Sequence, residues 1–112
     1  MTRETDVILQ EMIDVMDHLQ AAIKNHEYET FQKDWILRHA AQRALEIVSE
    51  ASRHIPEHLR LTEPETNWAQ IRAIGNLLRH EYHRASDKVI WNVITEHFNE
   101  LRPVLIRMLA RL

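Results

Sequence analysis

The sequence predicts an all-α fold, an up-and-down bundle of four to five helices, on three observations. Apolar residues recur at steps of three and four along most of the chain, which gathers them on one face of each helix. A single glycine in 112 residues leaves almost nothing for hairpin turns or phosphate-cradling loops, which excludes P-loop and dinucleotide-binding motifs. A composition 45% hydrophobic and 28% charged is too apolar for a disordered tail. One domain over 1–112 is expected, without internal repeat, low-complexity tract or linker. A chain this short buries only about two-thirds of its unfolded surface, so a second subunit would add usefully to its core.

The first helix is expected from about 4 to 24. Ile8, Met12, Val15, Met16, Leu19 and Ile23 form its apolar stripe, and Asp14, Asp17 and Gln20 fall between them. Residues 25–29 break the period. Thr30 is expected to cap a second helix with the stripe Phe31, Trp35, Ala41, Leu45, Val48 and Ile55. That helix stops before Pro56, because a residue preceding proline resists the α region. Residues 56–66 hold two prolines and read as a loop, with a short turn around Glu57 to Arg60. Asn67 is expected to cap a third helix from 68 to about 84. Ser86 or Asp87 is expected to cap a fourth, carrying Val89, Ile90, Val93, Ile94 and Phe98. Pro103 lacks an N–H and crowds the carbonyl four residues earlier, so 104–112 is expected as a kinked continuation or a fifth helix.

The absence of cysteine removes disulfide scaffolds, thiolate zinc sites and cysteine nucleophiles, and suits a reducing compartment. The charged start and the lack of any apolar run near the ~18 residues of a membrane span lead us to expect a soluble, cytoplasmic protein with no membrane association. A net charge of −3 gives no global attraction to nucleic acid, so such binding must come from a local patch.

One patch qualifies. On a helical wheel the third helix separates Ile71, Ile74, Leu77, Leu78 and Tyr82 from Arg72, Gly75, Asn76, Arg79, His80 and His83. Arg72, Asn76 and His80 are spaced by four, as are Arg79 and His83, and three arginines face one glutamate between 68 and 84. Guanidinium forks hold phosphates, and an imidazole near neutrality exchanges protons. In RNA the 2′-hydroxyl is a built-in nucleophile, so cleavage needs only a base or acid and donors aimed at the phosphorus, and no metal. The same strip also reads as an ordinary solvated face.

Other constellations read as structural. His80 and His83 lack a carboxylate at a spacing that would complete a metal set, so no metal and no cofactor is expected. Glu46 and Glu50 suit surface pairing with Arg43 or Arg53 better than acid–base work. Trp35, Trp68 and Trp91 fall on apolar stripes, which predicts core packing rather than base stacking. Tyr82 borders the apolar arc, with its hydroxyl either buried as a donor or exposed to modification.

Several stretches carry a family pattern in order. They are Phe31-x-x-Asp34, the run from Ala41 through Ser49-Glu50-Ala51, Trp68-x-x-Ile71, Asn76-x-Leu78-x-His80-x-Tyr82, and Trp91 in the next helix. From Asp6 to Leu109 the chain thereby resembles the HepT-like group of the HEPN superfamily, small helical toxins of toxin–antitoxin pairs. The resemblance implies a homodimeric, metal-independent endoribonuclease whose active site forms where two copies of the third helix meet. It also implies a partner, a nucleotidyltransferase-fold antitoxin, which in some members silences the toxin by AMP transfer to the tyrosine of an Arg-x4-His-x-Tyr motif. By position His80 matches the catalytic histidine, Asn76 the polar residue following the motif arginine, and Tyr82 the AMP acceptor. The arginine itself is replaced by Gly75, and Arg79 or Arg72 can supply a guanidinium from a neighbouring turn. Gly75 costs about 0.5–1 kcal/mol in a helix relative to alanine, which points to a use: room for a phosphate or long side chain, or close helix packing. Three readings follow: a ribonuclease, a catalytically weakened dimer that binds RNA or antitoxin, and a structural helical dimer.

Overall fold

The computed structural model describes residues 4–80 and 84–112, with the side chains of residues 79, 80 and 84–86 also outside the description. Helix α1 (Thr5–Ile23) follows the expected stripe: Ile8, Leu9, Met12, Ile13, Met16, Leu19 and Ile23 are all buried. After it come α2 (Tyr28–Lys33), α3 (Trp35–Ser52), the single turn α4 (Glu57–Arg60), α5 (Trp68–His80), α6 (Arg84–Asn92), a π-helical turn Val93–His97, and α7 (Phe98–Ala110). No strand occurs among the described residues. The described residues form an all-α bundle.

The expected second helix is two helices. Asp34 leaves the helical region (φ −93°, ψ 99°) and its carboxylate accepts a hydrogen bond from the Leu37 N–H at 2.9 Å, which starts α3 afresh. Thr30 is therefore not the cap of the long helix. It lies inside α2, where its hydroxyl accepts from the Glu27 N–H at 2.9 Å. The break also separates Phe31 from Trp35. Phe31 is fully buried against the Trp91 ring, 5.1 Å away, whereas Trp35 opens α3 at 63% exposure, contrary to its expected place in the core. Trp68 is buried as expected, its indole N–H donating to the Glu63 carbonyl at 3.3 Å.

Asn67 caps α5 as expected, accepting from the Gln70 N–H at 3.0 Å. Helix α6 begins before the caps expected for it, so Ser86 and Asp87 lie in its first turn, and Asp87 is buried 3.8 Å from Arg38. Pro103 does not end its helix: α7 runs through it, because Leu101, Val104, Leu105 and Met108 bury one continuous face. Each such side chain contributes about 1.5–3 kcal/mol, enough together to offset a proline cost of about 3 kcal/mol.

Two carboxylates tie the bundle. Asp17 accepts both arms of Arg102 at 2.8 and 3.0 Å, which joins α1 to α7 and holds the Asp17 carboxyl below its usual range. Buried Glu63, between α4 and α5, accepts from Arg107 at 2.6 Å and from Arg111. These two guanidiniums lower the Glu63 carboxyl from 4.5 to about 2. Because the folded value lies below the unfolded one, the clamp stabilises fully above about pH 4.5 and is lost as pH falls toward 2. Thermal melts at graded pH are expected to show a gap between the native protein and Glu63→Gln at pH 7 that narrows through this window. A constant gap would remove the ionised clamp from the fold.

Candidate nucleic-acid interface

Helix α5 holds most of the residues singled out above, and its seat on α3 sets their directions. Gly75 is buried, and its N–H donates to the Ser49 hydroxyl at 3.2 Å; the same hydroxyl donates to the Arg72 carbonyl at 2.9 Å. Arg53 donates to that carbonyl as well, at 3.2 Å. Moving from Ser49 to Arg53 on α3 thus moves from Gly75 back to Arg72 on α5, so the two helices run antiparallel. No described residue has positive φ, so Gly75 is required for its missing side chain and not for backbone freedom. Of the two uses weighed for it, the structure shows close packing. Ser49→Ala removes the bridging hydroxyl and is expected to cost about 1 kcal/mol, read as a lower melting temperature; an unchanged one would mean the crossing does not depend on that bridge.

Arg72 is half-buried on α5 and Asn76, one turn on, is exposed at the rim of a groove. His80 ends the helix and Arg79 precedes it, and the side chains of both lie outside the described residues, as does Tyr82 altogether. The helical backbone from Trp68 to His80 places Arg72, Asn76 and His80 on one face. It does not bring Arg72 to His80. Two turns separate them by about 12 Å of rise, and helical side chains lean toward the N-terminus, so Arg72 points away from His80 of its own chain.

Between α5 and the π-turn and α7 lies a groove of about 1060 Å³. Leu45 and Val48 of α3, with Ile74, Val93 and Leu101, supply its apolar lining. Leu77 and Val89 stand on its flanks, 38% and 41% exposed. The carboxylates considered for acid–base work are instead engaged on the α3 surface, Glu46 with Arg43 at 3.4 Å and Glu50 with Arg53 at 3.8 Å and His54 at 3.4 Å. No helix among the described residues is long and apolar enough to cross a membrane.

Sequence reasoning missed one group. Trp35 and His39, a turn apart on α3, stack with ring centroids 4.1 Å apart and planes 35° apart, and Ile36 beside them is 74% exposed. The signal was available in Asp34, a capping residue immediately before the tryptophan.

An all-α bundle with a polar motif closing one antiparallel helix defines a class, and comparison with known proteins specifies it. The ribonuclease HepT-like family profile matches residues 8–108, and the chain belongs to that family, within the HEPN superfamily. Relatives include a candidate RNase of Caldanaerobacter subterraneus subsp. tengcongensis, 28% identical over 103 residues, 92% of each chain. Another, from Methanocaldococcus jannaschii, also named as a candidate RNase, is 26% identical over 100 residues, 89% of this chain and 92% of its own. A candidate ribonuclease HepT of Thermococcus cleftensis is 26% identical over 102 residues, 91% of this chain and 93% of its own. No solved structure matches the chain significantly.

Proposed function

We propose that this protein is the toxin of a toxin–antitoxin pair, a homodimeric and metal-independent endoribonuclease acting on single-stranded RNA. The observation that carries the reading is the α5 face of Arg72, Asn76 and His80 in a chain whose relatives bear ribonuclease names. His80 takes the proton of the 2′-hydroxyl or returns one to the departing 5′-oxygen. The hydroxyl oxygen bonds to phosphorus as the P–O5′ bond breaks, leaving a cyclic phosphate and a free 5′-hydroxyl. Arg79 and Arg72 hold the phosphate oxygens and Asn76 orients them.

The 12 Å rise between Arg72 and His80 supports a shared site. If two α5 helices cross antiparallel about a twofold axis near Asn76, midway between them, Arg72 of one copy stands opposite His80 of the other. Exposed Leu77 and Val89 would be covered by the same pairing. A cognate nucleotidyltransferase-fold antitoxin would then silence the enzyme by AMP transfer to Tyr82.

A second reading is favoured by one observation, the buried Gly75 where the motif arginine belongs: a weakened dimer that binds RNA or antitoxin without cutting. The two separate in one assay. Purified protein incubated with single-stranded RNA in EDTA is expected to yield fragments ending in cyclic phosphate. Intact RNA that is nevertheless bound would support the second reading instead. Co-expression with a cognate nucleotidyltransferase-fold antitoxin is expected to add the mass of one AMP group at Tyr82, and an unchanged mass would remove that silencing route.

A further inference from the structure

We propose that Trp35, held by His39 at the α2–α3 elbow, is a stacking platform for a base of the RNA, separate from the α5 strip. The inference rests on the RNA-binding reading above. A tryptophan that is 63% exposed beside an isoleucine at 74% is a surface without a partner in one chain, where the other two tryptophans are packed into the core or against it. The ring is also pre-positioned. The His39 Nδ1–H donates to the Trp35 carbonyl at 2.7 Å, which fixes the imidazole beneath the indole and leaves the outer indole face open. A rigid aromatic face of this kind stacks any base, and its ordering cost is already met by the fold.

Charge favours a nucleic acid over an apolar protein surface. Residues 33–43 carry Lys33, Arg38 and Arg43 against Asp34, and acids outside the stretch, Glu46 and Asp87, answer two of the three cations, which leaves Lys33 as the cation next to the ring. Arg43 is engaged with Glu46 at 3.4 Å, whereas Lys33 is exposed beside the platform. Arg38 is held only loosely, 3.8 Å from Asp87, and its Nε is buried without a hydrogen-bond partner among the described residues.

Position joins the platform to the proposed site. Running antiparallel from the Ser49–Gly75 contact, α5 carries His80 to about the level of Ala44, so roughly 14 Å of helix separates it from Trp35. The Arg38–Asp87 pair lies on that path, where α3 meets the start of α6. A strand with its scissile phosphate at His80 can therefore pass Arg38 and lay a neighbouring base on Trp35.

The test uses a short fluorescein-labelled single-stranded RNA and full-length His80→Ala protein, which is expected to bind without cutting. Trp35→Ala in that background is expected to weaken binding roughly 5- to 150-fold, the value of one stacked base, with the salt dependence unchanged because no phosphate contact is lost. Trp35→Phe keeps a ring and is expected to retain most of the affinity, while the RNA-dependent fluorescence quenching expected of Trp35 is lost. In the cleaving protein, Trp35→Ala is expected to raise KM and leave kcat in place. RNA bound equally well by Trp35→Ala overturns the platform and leaves the ribonuclease reading standing. Unchanged RNA affinity with loss of the dimer in light scattering overturns it in favour of a protein contact. Failure of the His80→Ala parent to bind RNA overturns the platform and the RNA reading together.

Discussion

Gly75→Arg is expected to lower the melting temperature by about 10–20 °C, the equivalent of roughly 3 kcal/mol in a domain of this size. The residue is buried where α5 crosses α3, and its N–H lies 3.2 Å from the Ser49 oxygen, so any side chain there meets the facing helix. Overpacking of this kind costs about 1–3 kcal/mol, and a guanidinium that must also find water adds to it. Gly75→Ala is the sharper control. Helix propensity alone would make it stabilising by about 1 kcal/mol, so a higher melting temperature in the alanine variant would refute the close-packing account. Ser49→Gly, which empties the facing position, is expected to recover part of the loss in Gly75→Arg, since contacting residues couple by about 0.5–3 kcal/mol. Restoring the motif arginine is therefore not expected to be a one-residue repair of catalysis, and the proposed site draws its cation from Arg72 or Arg79 instead.

His80→Ala is expected to reduce RNA cleavage by roughly 10²–10⁴-fold, the range of general acid–base catalysis, with the circular dichroism spectrum and melting temperature retained. Cleavage that survives the substitution would remove His80 from the mechanism. The shared-site geometry adds a more demanding result. A site using His80 from one copy and Arg72 from the other is inactive in His80→Ala and in Arg72→Ala homodimers, yet one intact site forms in each mixed dimer. Mixing and re-annealing the two inactive proteins is expected to restore roughly a quarter of the native activity, the statistical share of intact sites. No recovery would place both groups in a single protomer, which the 12 Å rise along α5 opposes.

Much of the fold was legible because it depends on local period. The α1 stripe, the Asn67 cap and the loop at Pro56 each involve residues within a turn or two of one another. Trp35 was misplaced because a stripe drawn through Phe31, Trp35 and Ala41 assumes one unbroken helix, and the Asp34 cap breaks it. Of the two outcomes open at Pro103, a continued helix or a separate fifth one, the continuation holds, because the apolar face binding α7 to the bundle is a long-range term that outweighs the local cost of the proline.

The family, the polar face of α5 and the order of its motif residues were set by the chain itself, because residue identity at four-residue spacing needs no neighbour to define it. What Gly75 is for was decided only by the tertiary structure, since the facing Ser49 lies in another helix and no local pattern encodes that contact. The same holds for the exposure of Trp35 at the elbow where α2 ends and α3 begins. Each depends on which surfaces meet, and burial is a property of pairs of elements rather than of sequence windows.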